Sequence, residues 1–125
     1  GTHNKEKKLW ESAGLEPSKY SGQWYLETGL GMGATLNIAA GKNAYTITDR
    51  ATWISFKNKS DLQILFDEDP RLFNQYGIIL VNPEHCPNVN IKDATRFLRW
   101  IISDEGKSTI ASFRIVNQQL FFPNN

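Results

Sequence analysis

The sequence predicts an α/β fold, a lobe with a mostly parallel sheet flanked by helices. Two observations predict it. Apolar segments of strand length alternate along the chain with amphipathic helical segments, and glycine, proline or capping residues punctuate most of the changes. With 125 residues, 40% of them hydrophobic and 22% charged, the chain is one ordinary domain or a piece of a larger one. No repeat, low-complexity tract or linker-like stretch divides it.

The elements follow in order. Thr2 can cap a helix that carries Leu9, Trp10 and Ala13, with Gly14 as its stop and Pro17 just beyond. Trp24–Leu26 is a short aromatic strand. Gly29, Gly31 and Gly33 then lead into a helix whose Met32, Leu36, Ala39 and Ala40 share one face before Gly41 ends it. Tyr45–Thr48 alternates as a strand, and Asp49 caps a short helix holding Trp53 and Phe56. Leu62–Phe66 and Tyr76–Val81 are further strands, the second a buried one, broken by Asn82-Pro83. Ile91, Ala94, Leu98, Ile101 and Ile102 line one helix, and Ser103 or Asp104 caps another with Ile110 and Phe113. Leu120-Phe121-Phe122 is strongly apolar for a chain end and requires cover.

Composition excludes several classes of function. Fourteen Lys and Arg against thirteen Asp and Glu leave a net charge of +1, too even for nucleic-acid binding driven by bulk charge. One Cys and two His support neither a disulfide framework nor a self-sufficient metal site, so no metal and no cofactor is expected. The opening Gly1-Thr2-His3 lacks a Met and a signal peptide, which suggests a processed or truncated product or the tail of a longer one.

The chemistry concentrates at three expected helix starts: Thr2, Gly31-Met32-Gly33 and Thr48-Asp49-Arg50. A helix N-terminus presents free N–H groups and a partial positive charge, so it receives anions without formal cations. Thr hydroxyls add donors that rotate to fit, and Arg50 adds one fixed charge with a planar fork. Neutral donors with a single cation suit a compact oxyanion in a desolvated cleft. Taken singly, each feature is also what an ordinary cap, turn or surface arginine looks like.

An enzyme remains the alternative. Gly29-x-Gly31-x-x-Ala34 followed by a helix and by Asp49 fits a nucleotide-cofactor fingerprint, although Glu27-Thr28 interrupts the apolar strand such a site requires. Other candidates are weaker. His85-Cys86 lies between Pro83 and Pro87 with no second Cys, and His3 sits on a lysine-rich helix face. Asp67-Glu68-Asp69 is a run whose carboxylates should diverge into solvent. No Ser, His and acid arrangement suggests nucleophilic catalysis.

Several segments, in order and with sensible spacing over nearly the whole chain, carry a family resemblance. They are Gly1-Thr2-His3-x-Lys5-Glu6 leading to Leu9-Trp10, Glu27-Thr28-Gly29-x-Gly31-Met32-Gly33-Ala34-Thr35-Leu36-Asn37 and Tyr45–Arg50. Asp69-Pro70-Arg71-Leu72, Tyr76–Pro83 and Gln118–Asn124 complete the pattern. The chain resembles the later part of tungstate-type ABC-transporter substrate-binding proteins and, more distantly, molybdate-binding and other type II periplasmic binding proteins.

The resemblance implies a two-lobed protein that closes on its ligand by a hinge motion. Residues 1–82 correspond to the second, ligand-binding lobe, and 83–125 to the crossover and C-terminal helices that pack on the first lobe. It implies no catalysis, a tetrahedral oxyanion (tungstate or molybdate) as ligand, an ABC permease as partner, and a periplasmic or lipoprotein location. Thr2 matches a segment that contacts the oxyanion, Met32 and Gly33 a helix start offering amides, and Thr48 a strand end facing the cleft. Arg50 rests on the charge argument, because the family's clearest ligand arginine precedes the segment matched by Gly1. An oxyanion-sensing regulatory module is a further alternative. The apolar load of the C-terminal helices suggests either the first-lobe segment or a second copy as cover, with 82–90 as hinge.

Overall fold

The computed structural model describes residues 1–124 and divides into two compact units, Gly1–Asn74 and Gln75–Asn125. The first holds helices α1 (Thr2–Ser12), α2 (Met32–Lys42) and α3 (Arg50–Ser55), with 3₁₀ turns at Pro17–Tyr20 and Pro70–Leu72. The second holds α4 (Ile91–Ile102), α5 (Asp104–Ser112) and a hairpin of β1 (Arg114–Ile115) and β2 (Gln118–Gln119).

Local chemistry accounts for the helix ends. Gly1, not Thr2, is the cap of α1, because the Lys5 amide already closes the first turn on the Gly1 carbonyl. At its other end the Ala13 and Gly14 amides fold back onto α1 carbonyls, and Gly14 takes the left-handed φ of +69° that glycine adopts without strain. Gly41 does not stop α2, which runs on through Lys42 to Asn43 in the left-handed region (φ 49°, ψ 48°), a conformation asparagine tolerates. Leu36, 1% exposed, and Ala39 form the buried face of α2.

Side chains cap the other helices, the Asp49 carboxylate accepting the Thr52 amide at 2.9 Å in α3. Asn90 accepts from the Asp93 amide at 3.1 Å to start α4, and Ser103 Oγ accepts from the Gly106 amide at 3.2 Å to start α5. Leu120 is buried in the second unit, and Phe121 packs edge-on against Tyr76 at 5.7 Å between ring centroids.

The expected parallel sheet is not present among the described residues. The sheet there is the antiparallel pair β1–β2, with Arg114 opposite Gln119 and Ile115 opposite Gln118. Tyr45–Thr48, Leu62–Phe66 and Tyr76–Val81 are unpaired, and of Trp24–Leu26 only Tyr25 makes a single bridge, to Ser21. Tyr76–Val81, expected to be buried, is instead largely open, with Ile79 89% exposed. The physical reason is that side-chain alternation marks a strand's faces, whereas a strand exists only beside a neighbour that takes up its N–H and C=O groups. No described segment lies alongside these four in a ladder.

The hairpin turn carries a prediction. Val116 and Asn117 both have positive φ, 50° and 62°, as a two-residue primed turn requires. A β-branched residue is strained there. Val116→Asn is expected to stabilise the second unit by about 1 kcal/mol, read as a higher urea midpoint, and a lower midpoint would contradict this turn.

Candidate functional site

All five residues selected as anion ligands lie in the unit Gly1–Asn74. Thr2 is the first residue of α1 and Met32 and Gly33 are the first two of α2. These two helices differ from the rest. Neither has a side-chain cap, each is preceded by a glycine, and neither carries an acid in its first turn. In α3, α4 and α5 a side chain of the chain itself occupies the same position. Gly29, with φ +64°, makes the turn into α2, and the Thr28 and Thr35 hydroxyls, 2.8 Å apart, tie that turn to the helix.

The third start is arranged differently. Asp49 caps α3 with one oxygen on the Thr52 amide and the other on the Thr52 hydroxyl at 2.7 Å. Thr48 Oγ1 donates to the Asp49 carbonyl at 3.2 Å. Arg50 is paired with Asp67 at 3.0 Å, both side chains being nearly half exposed. The one fixed charge of the expected site thus already has an anionic partner, 17 residues away and invisible to sequence spacing.

The enzyme alternative required Asp49 to be available for a ribose, but both its oxygens serve the α3 cap. The acidic run does diverge: Asp67 goes to Arg50 and Asp69 to Arg71, whose side-chain and backbone hydrogen bonds hold the Asp69 carboxyl down at about 2. Cys86 is a free, exposed thiol in a turn where the His85 and Cys86 amides both fold onto the Asn82 carbonyl.

One polar centre escaped the sequence reading. Glu6 Oε1 accepts from the Tyr25 hydroxyl at 2.8 Å and from Trp10 Nε1 at 3.0 Å, and His3 Nδ1 lies 3.2 Å from Oε2. The Glu6–Trp10 spacing of four on one helix was a local signal for the first bond, while Tyr25 lies 19 residues away. Trp24 packs against Trp10, Tyr25 and Tyr20 with ring centroids 5.3 to 6.0 Å apart, so two of the donors to Glu6 share one aromatic neighbour. Partial burial opposes ionisation of Glu6, but the bonds from Trp10, Tyr25 and His3 outweigh it and hold its carboxyl below the usual value.

Burial first, then the bond to Glu6 and the charges of Glu6 and Glu27, push the Tyr25 hydroxyl up to about 12. Because the folded pKa is raised, the contribution of Tyr25 is complete below the unfolded tyrosine value of about 10 and is lost as pH climbs toward 12. Alkaline unfolding in that window is therefore expected to shift with Tyr25→Phe, measured by Trp fluorescence. An unchanged alkaline limb would contradict the Glu6–Tyr25 bond.

Comparison with known proteins extends this geometry. The model of the PBP superfamily domain matches residues 1–105. The tungstate-binding protein TupA of Campylobacter jejuni is 42% identical over 125 residues, 97% of this chain and 46% of its own length. TupA of Peptoclostridium acidaminophilum is 41% identical over 126 residues, 99% of this chain and 43% of its own. The solved tungstate-binding protein TupA from Desulfovibrio alaskensis G20 aligns with a TM-score of 0.74 at 43% identity, over 99% of this chain and 51% of that one. The chain thus spans less than half the length of the curated relatives it matches. Family model, sequence identity and backbone agree, and the chain belongs to the PBP superfamily, with the periplasmic binding protein fold.

Proposed function

We propose that this chain is the ligand-holding lobe, with C-terminal helices, of a non-enzymatic protein that binds tungstate or molybdate and delivers it to an ABC permease from the periplasm or from a lipoprotein anchor. The carrying observation is the pair of helices α1 and α2, whose N-termini bear neither a side-chain cap nor a first-turn acid. Such ends keep amides for an external anion and have no internal carboxylate to compete with it. The names of relatives above 40% identity give the ligand class.

Thr2, Met32 and Gly33 are the proposed ligands at these starts, and Thr48 and Arg50 join them if Arg50 turns from Asp67 or shares its guanidinium. The proposed lobe boundary is 82/83, with 1–82 as the second lobe and 83–125 as crossover and helices. The cover for the latter is the first-lobe segment or a second copy exchanging its helices.

In the complete gene product, tungstate at a hundred times its Kd is expected to add about 2.7 kcal/mol of stability, read as a raised melting temperature. No shift would remove the reading. Arg50→Ala tests its own part. The expected loss is about 1.5–3 kcal/mol of binding for a charged hydrogen bond, and unchanged affinity would return Arg50 to a surface pair with Asp67.

A further inference from the structure

Glu6 and Tyr25 take no part in the anion contacts proposed above, yet they join the two elements that would make them. Glu6 stands one turn after Thr2 on α1, and its 2.8 Å bond from Tyr25 reaches the segment that leads toward α2. Along that segment Ser21 Oγ donates to Glu27 at 3.2 Å, and the Leu30 amide donates to Thr28 Oγ1 at 3.3 Å. The Thr28–Thr35 contact then closes onto the first turn of α2. Three separate side-chain bonds, Glu6–Tyr25, Ser21–Glu27 and Thr28–Thr35, joined through the backbone and the Ser21–Tyr25 bridge, thus lead from the first turns of α1 to the start of α2.

We propose that Glu6 and Tyr25 are positioning residues, whose bond fixes the start of α1 relative to the Gly29–Gly31 turn that opens α2. The proposal rests on the reading that these two helix starts share an oxyanion. Donors converging on a small anion must be held to within about half an ångström, by side chains that are themselves hydrogen-bonded. Glu6 is suited to that work and not to ligation, since its charge repels an anion and both oxygens already face donors.

The test measures tungstate affinity by calorimetry on the complete gene product, with melting followed alongside. Tyr25→Phe is expected to weaken binding about tenfold, the scale seen when supporting partners of a bound ion are lost. Glu6→Gln, whose amide oxygen still accepts from Tyr25, keeps near-normal affinity. Glu6→Leu, which also leaves Trp10 Nε1 without its acceptor, weakens binding at least as much as Tyr25→Phe, and adding Tyr25→Phe to it costs nothing further, because the bond is already broken. Wild-type affinity in a folded Tyr25→Phe protein overturns the proposal. So does failure of both Tyr25→Phe and Glu6→Leu to fold, which would make the bond a requirement of folding. Amide hydrogen exchange separates this from the ligand reading: Tyr25→Phe should speed exchange at Leu30 and Thr35, whose amides are bonded to Thr28 Oγ1 and the Gly31 carbonyl, and leave α4 unchanged, even if the parent binds no tungstate. Unchanged exchange at Leu30 and Thr35 would count against the clamp itself.

Discussion

Replacing Gly106 by alanine is expected to destabilise the unit Gln75–Asn125 by about 3 kcal/mol or more, the upper range for forcing atoms into a packed interior. Gly106 is buried at the start of α5, where a Cβ would overlap the Trp100 carbonyl oxygen and lie 2.9 Å from its carbon and 3.0 Å from Ile101 Cα. All three are backbone atoms. The carbonyl cannot retreat freely, since it accepts from the Ser103 amide at 3.0 Å and the Ser103 hydroxyl at 2.6 Å. Those bonds make the corner between α4 and α5, so relief at Gly106 means opening the corner. Gly41→Ala is the matching control. Nothing lies within 4 Å of its Cβ position in α2, and alanine there should stabilise by up to about 1 kcal/mol. Urea unfolding followed by circular dichroism separates the two, and equal midpoints would contradict the packing at Gly106.

The second large effect concerns the chain by itself. Expressed alone, it is expected to associate and to bind oxyanion poorly. Pro17, Leu36, Ala39 and Leu120 are the buried apolar side chains among the described residues, whereas twenty large ones are exposed, Tyr45 at 91%. The accessible surface is 10055 Å², where a folded monomer of this mass exposes about 6,800 Å² and two separate domains sharing it about 8,100 Å². Much of the excess is the strand-like sequence of Leu62–Phe66 and Tyr76–Val81 and the outer faces of Phe97, Ile102 and Phe113. Unpaired apolar segments of this kind template association. Light scattering should give at least twice the 14.2 kDa chain mass, with an apolar dye bound to whatever surface stays open. A stable monomer without dye binding would contradict the exposure.

The helices were legible because their signals are local. Asp49 and Ser103 announce the caps they make, and Gly14 stops α1. The apolar spacing of α4 marks the helix but not a covered face, since Ile91, Ala94 and Ile102 are exposed. Gly41 misled because helix termination depends on which residue takes the left-handed conformation, and Asn43 does so two positions later. The strands were legible only as composition. The pairing that would make Tyr45–Thr48 or Tyr76–Val81 a sheet depends on neighbours that the described residues do not supply.

At the candidate site, the helix starts at Met32 and Arg50 were visible as a glycine run and a cap. Their partners, Asp67 for Arg50 and Tyr25 for Glu6, are meetings across 17 and 19 residues that no periodicity encodes. The Val116-Asn117 turn was missed for a different reason, because valine is a poor marker for a positive φ.

Titration calorimetry of the complete gene product with tungstate, molybdate and sulfate tests whether the helix starts hold a tetrahedral metal oxyanion. The two metal oxyanions are nearly equal in size and tetrahedral, so one donor set should hold both tightly. Sulfate is smaller and leaves donors unsatisfied in a cleft shaped for longer metal–oxygen bonds. Tungstate and molybdate should therefore bind tightly and sulfate far more weakly. Sulfate binding as tightly as tungstate, or no heat with any of the three, would contradict that role of the helix starts.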